Sequence, residues 1–246
     1  MKILKFYILL FISGLLSVSS CVKEENPLSP KDDLINHIGY WHNVAVEAFF
    51  ASNNFKSGSP TEVYSYSEIR DIIMKELAKK DNQLFDYDFI KADLAWSDEV
   101  LKKNGIIIES LSGNVRKNEI HPINYSVVFK YLFEINEIGE TLYLAFSDLN
   151  KKVMENDVSR QEIIKLSKQI KDLPLSEKEK SYVDVFNQVL QHSNAYWENT
   201  HSKMLDKKTV AIIWADAAGG LYGMLCGPIC SIIEGALFST IVAIQE

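Results

Sequence analysis

Two cysteines and a few histidines are the side chains in the body of this chain best suited to chemistry. Cys226 and Cys230 stand in the run Cys226-Gly-Pro-Ile-Cys230. A redox-active dithiol needs two intervening residues, a strand before it and a helix that steadies the first thiolate. Here three residues intervene and apolar, helix-forming sequence lies on both sides. The pair is therefore expected to be a local disulfide, Cys226 to Cys230, or two buried thiols. Glu198-Asn-Thr-His201 has the Glu-x-x-His spacing that places two metal ligands on one helix face. A di-metal site needs a second such motif and further glutamates, and no second Glu-x-x-His exists. Glu198 and His201 are expected at a solvated helix end.

The histidines are His37, His42, His121, His192 and His201, and none falls in a His-x-x-x-His or His-Glu-x-x-His pattern. His37 and His42, beside Trp41, read as packing residues at a helix surface. There is no Gly-x-Ser-x-Gly elbow, phosphate loop or dinucleotide fingerprint. No catalytic, cofactor-binding or metal-ligating residue is assigned, although a triad can assemble from distant positions.

The third cysteine, Cys21, sits in a different context. Lys2 and Lys5 precede an apolar run from Phe6 through Leu16, and Ser17, Ser19 and Ser20 lead up to the cysteine. The run is shorter than the roughly 20 apolar residues of a membrane span, as a cleavable signal peptide should be. Val18-Ser19-Ser20-Cys21 resembles a bacterial lipobox, the motif cut by lipoprotein signal peptidase. The resemblance implies diacylglycerol on the Cys21 thiol and an acylated amine, so that the partner of residue 21 is a membrane. Each buried CH₂ contributes about 0.8 kcal/mol, so several acyl chains anchor stably. Val22-Lys23-Glu24-Glu25-Asn26 is similar to the Lys-plus-acidic tag that sends many Bacteroidota lipoproteins to the outer face of the outer membrane. The expected organisation is a signal peptide over 1–20, a lipidated tether over 21–31 and one helical domain over 32–246.

Composition bounds the rest. Of the 246 residues, 47% are hydrophobic and 24% charged, which suits a globular body. A net charge of −7 argues against a nucleic-acid partner, which would need a basic stripe.

Helical periodicity dominates after the tether. Leu34, Ile38, Trp41, Ala45 and Phe49 share one face. Ser65 with Glu68, Ser159 with Glu162 and Ser176 with Glu179 each have capping-box spacing. Ile69, Ile72, Ile73 and Leu77 should point inward, as should Ile90, Leu94 and Leu101 in the next helix. Gly105 to Glu119 is the least helical stretch, where a short hairpin or irregular loop is expected. Val127, Tyr131 and Ile135 predict the next buried face, and a long helix should run from Ser176 to about Ser202. The pattern predicts an all-α, multi-helix bundle.

Residues 209–244 stand apart, because only Asp216 and Glu234 carry charge there. Ala215, Gly219 and Gly223 recur at every fourth position, which lets two helix backbones approach closely. Gly227-Pro228 supplies the turn of a tight helical hairpin. A helix apolar on all sides normally belongs in a core, and each arm, at about 16 residues, is short for a span. The expectation is a buried, Gly/Ala-rich C-terminal hairpin wrapped by amphipathic helices.

For function, the sequence favours a lipid-anchored binding or interaction module for an unidentified protein or small-molecule ligand. The alternatives are a membrane-active or toxin-related protein acting through 209–244, and an enzyme with a dispersed site.

Overall fold

A computed structural model describes residues 34–52, 65–103, 125–200 and 206–244. The signal peptide, Cys21, the tether, His121, His201 and the segment expected as a hairpin or loop after Gly105 lie outside these. Among the described residues there are nine α-helices and no strand. After a 3-10 turn at Ile35–His37 come α1 (Ile38–Ser52), α2 (Tyr66–Lys80) and α3 (Tyr87–Lys103). Four more follow: α4 (Ser126–Glu134), α5 (Glu140–Met154), α6 (Arg160–Ile170) and α7 (Glu177–Thr200). The last two, α8 (Asp206–Gly223) and α9 (Pro228–Ala243), form the hairpin. The fold is an all-α multi-helix bundle.

Short polar signals start the helices. Ser65 and Glu68 form a reciprocal capping box at α2. Glu162 N donates to Ser159 Oγ at α6, and Glu179 N donates to Ser176 Oγ at α7, both at 3.3 Å. Asp86 Oδ1 caps α3 by accepting from Phe89 N at 2.9 Å. Each bond satisfies an amide that the helix leaves without a partner. Asparagine does the corresponding work at two helix ends. Asn136 (φ 57°) and Asn156 (φ 53°) take the left-handed conformation just past α4 and α5. There Glu137 N reaches back to Leu132 O at 2.9 Å, and Asp157 N to Lys152 O at 2.8 Å. This is the Schellman geometry, with Asn tolerated where Gly is usual.

The hairpin forms the centre. α8 packs along α9 and α7, while α9 packs along α1 and α2. Ile212, Trp214, Leu221, Ile233, Leu237 and Phe238 are fully buried, within one set of core side chains that runs from Leu34 to Val242. Small residues set how close the two arms come. A Cβ on Gly223 would lie 2.4 Å from Cys230 O, and one on Gly219 would lie 2.6 Å from Glu234 O. Gly227 turns the chain at φ 107°, and Pro228 opens α9 at a position where its missing N–H costs nothing. Among the described residues, no helix is long and apolar enough to cross a membrane.

One face differs from expectation. Val127 and Ile135 are exposed, and of that predicted trio only Tyr131 is buried. The inward side of α4 is Val128, Phe129, Tyr131 and Leu132. Because α4 ends at Glu134, Ile135 falls in the turn beyond the helix, and the periodicity cannot be extended through it.

Candidate functional site

The two acids between residues 209 and 244 each have partners on other helices. Asp216, in the middle of α8, is fully buried. Its Oδ1 lies 2.6 Å from His42 Nε2 of α1, and Ser193 Oγ of α7 donates to Oδ2. The other ring nitrogen, His42 Nδ1, lies 3.0 Å from Asn43 Oδ1. The Asn43 amide is oriented by its Nδ2, which donates to His192 O at 2.9 Å. Both nitrogens of His42 therefore face oxygen atoms, of Asp216 and Asn43, an arrangement that favours the protonated ring. Burial alone would lower the His42 pKa, but the charge and hydrogen bonds of Asp216 outweigh it and hold the pKa above the usual 6.5. Gly235 leaves room for the ring, since a Cβ there would lie 2.9 Å from His42 Cδ2.

Glu234 of α9 is the second buried charge. Tyr66 OH donates to its Oε2 at 2.6 Å, and Arg70 Nη2 lies 2.9 Å from Oε1. Arg70 also grips Asp98 of α3 through both terminal nitrogens, at 2.5 and 2.9 Å, and bonds Tyr66 OH. Burial pushes the Glu234 carboxyl up, with Arg70 and Tyr66 acting against it. The Arg70 guanidinium, opposed by burial but faced by Glu234, is held charged. A third link joins Asn150 of α5 to the hairpin: its Oδ1 accepts from Trp214 Nε1 at 3.2 Å and from Tyr125 N at 3.3 Å.

Serine, histidine and aspartate come together here, yet their order is wrong for nucleophilic catalysis. A serine is activated when a neutral imidazole takes its proton, with the carboxylate behind the imidazole. In this cluster the carboxylate is central: Ser193 donates to Asp216, and His42 has no free lone pair to offer. Asp216, Ser193 and His42 are all without solvent exposure, so no substrate reaches them.

The other residues singled out from sequence divide as follows. Cys226 and Cys230 are joined in a disulfide across the hairpin turn, with Cα atoms 5.8 Å apart. Glu198 stands on the exposed side of α7 and pairs with Arg160 Nη2 at 3.2 Å. Among the described residues no group of three or more His, Cys, Asp or Glu could hold a metal ion. His42 is not the surface packing residue its neighbours suggested; it is fully buried because Asp216 supplies the charge that makes burial tolerable. Ser193, Arg70, Tyr66 and Asp98 were not legible as partners. The available signal was indirect: two acids in an apolar segment must be paired somewhere.

Two openings are lined by described residues. The larger, about 410 Å³, lies between α2 and α3; among the charged groups that line it, Glu68 bonds Ser65, Asp71 bonds Lys75 and Tyr87, Asp98 pairs with Arg70, and Lys91 lies over the Tyr87 ring. The smaller, about 180 Å³, lies beside the hairpin turn and is lined by Trp96 of α3, Tyr131 and Ile135 at the end of α4, Tyr182 of α7, Met224 and Leu225, with Glu137 as its acid. Tyr182 OH and Lys178 Nζ both bond Glu137 Oε2, each at 2.7 Å. Burial would raise the Glu137 pKa, but these two bonds outweigh it and keep the carboxyl ionised.

No protein-family model matches this chain, and comparison with curated proteins and with solved structures finds no match to either.

Proposed function

We propose that this protein is a cell-envelope lipoprotein, held to the outer membrane by acyl chains on Cys21, whose helical body is a binding module. The observation that carries the binding reading is a division of labour among side chains. His42, Asp216 and Ser193 are closed into a buried network, while aromatic groups and one carboxylate line the open cavity beside the hairpin turn. Small-ligand sites combine an apolar lining with a few placed polar groups, and this cavity has that character. The Cys226–Cys230 bridge supports export, since disulfides persist in oxidising compartments.

Two experiments test the reading. Radiolabelled palmitate should enter the wild type and not Cys21→Ala; label in the variant refutes anchoring at that residue. A thermal-shift screen of small molecules should give hits that Trp96→Ala abolishes, whereas hits indifferent to Trp96 would move the site elsewhere.

A second reading is favoured by one feature, the apolar character of both hairpin arms. In it, α8 and α9 leave the core and act on a membrane. Liposome leakage caused by the purified protein would support it, and intact liposomes at high protein would dismiss it.

A further inference from the structure

The cavity beside the hairpin turn has a chemistry specific enough to name a ligand class. Its walls come from elements far apart in the chain, so they are rigidly framed. Tyr131 and Tyr182 are almost fully buried, each 5% exposed. Trp96, 57% exposed, is the third aromatic side chain of the lining. Indole and phenol faces carry negative charge density and attract cations, with Trp the strongest. Tyr182 donates its hydroxyl proton to Glu137, an interaction that makes its ring a better cation acceptor.

Glu137 adds a full charge. The turn that ends α4, through left-handed Asn136, delivers this residue to the cavity. Its two hydrogen-bonding neighbours both use Oε2, which leaves Oε1 as the acceptor for an occupant. Lys178 Nζ offsets part of this charge, but it is a surface side chain, 54% exposed. The volume, about 180 Å³, is close to the roughly 150 Å³ at which an apolar cavity takes a benzene-sized guest.

Resting on the binding-module reading, we propose that this cavity binds a small organic ammonium ion, its cationic head among Trp96, Tyr131 and Tyr182 and its charge answered by Glu137. An anion would meet a carboxylate within an aromatic lining. A neutral apolar guest would gain nothing from the Glu137 charge. An ammonium satisfies both, and it competes with Lys178 for the same carboxylate.

That competition supplies the test. Choline, butylammonium and the neutral choline isostere 3,3-dimethylbutan-1-ol are titrated by calorimetry into the protein purified from membranes in detergent. Both cations should bind saturably, at least about tenfold more tightly than the alcohol. Trp96→Ala should weaken choline about tenfold, the scale of one desolvated cation–π contact. Glu137→Gln should weaken both cations, and Lys178→Gln, a surface change that spares the fold, should tighten both severalfold. A merely structural Lys178 would not do this. Equal binding of the alcohol, or no gain from Lys178→Gln, overturns the ammonium assignment and leaves the binding reading standing if the alcohol's site requires Trp96. No saturable binding by either cation also overturns the assignment, and the small-molecule screen then decides the broader reading by itself.

Discussion

The hairpin and the flank formed by α3, α4 and α5 are built on opposite principles. Between residues 209 and 244 both acids are buried and paired: Asp216 with His42 and Ser193, Glu234 with Tyr66 and Arg70. Small residues let the arms meet at backbone distance. On the flank, Phe89, Trp96, Val127, Phe133, Ile135 and Leu144 are large, apolar and exposed. Exposed side chains of this kind add little to the core, in contrast to the buried arms of the hairpin. Stability should respond to changes around α8 and α9, and ligand contacts to changes around Trp96 and Glu137.

The sharpest way to break this contrast is to remove one partner on each side. Asp216→Ala leaves the His42 imidazolium buried without its counter-charge, and should cost about 3–5 kcal/mol in urea unfolding. Trp96→Ala, in the cavity lining, should change stability by no more than about 0.5 kcal/mol. Similar losses from the two variants would erase the distinction. The His42→Leu/Asp216→Leu double variant should recover most of the lost stability, because an apolar pair removes both desolvation costs.

Packing is the next largest effect. Gly223→Ala and Gly219→Ala place a methyl against backbone atoms of α9 and should each cost about 1–3 kcal/mol. Gly220→Ala meets a side-chain methyl of Val189 at 3.1 Å, which can shift, so its Tm should fall less.

Protonation sharpens the comparison further. The folded-state pKa of His42 lies above its unfolded value of 6.5, so its contribution is fully present below pH 6.5 and is lost as pH rises through the folded pKa. Glu234 has the same sense: burial raises its folded pKa above the ordinary 4.5, so acidification relieves the cost of a buried carboxylate. His192 opposes them, its pKa lowered by burial and by the charges of His42 and His37, so it costs stability as pH falls below 6.5. With His192→Gln removing that opposition, Tm should rise on moving from about pH 8 to about pH 6. Replacing His42 by Gln as well should abolish the rise. A fall in the first variant would mean that the Asp216 pair is not charged in the folded protein.

The smallest expected effects lie at the helix starts. Ser65→Ala and Ser159→Ala should each cost about 1 kcal/mol through a lost cap, read as a shift in urea midpoint with unchanged slope.

These starts were also the most legible part of the fold. A serine three residues before a glutamate is a local signal, and at Ser65, Ser159 and Ser176 the helix begins where the spacing placed it. The hairpin was legible for the same reason, since a run with two charges and recurring glycines has few places to go but the interior. The polar partners were not. His42 and Asp216 are 174 residues apart, and nothing near His42 in sequence announces that a carboxylate will cross α1. The cavity was equally hidden: its aromatic walls come from α3, α4 and α7, and Glu137 reaches it through a turn at Asn136 that periodicity does not describe. The shift at α4 has the same origin, because the face of a short helix is chosen by what it packs on.

Amide hydrogen exchange of the purified protein, with and without liposomes, tests the centre of this account most directly. Amides of α8 and α9 should exchange only at the rate set by global unfolding, and added liposomes should leave that protection unchanged. Rapid exchange in residues 209–244, or protection there that changes when lipid is present, would contradict a hairpin that serves as the fixed core.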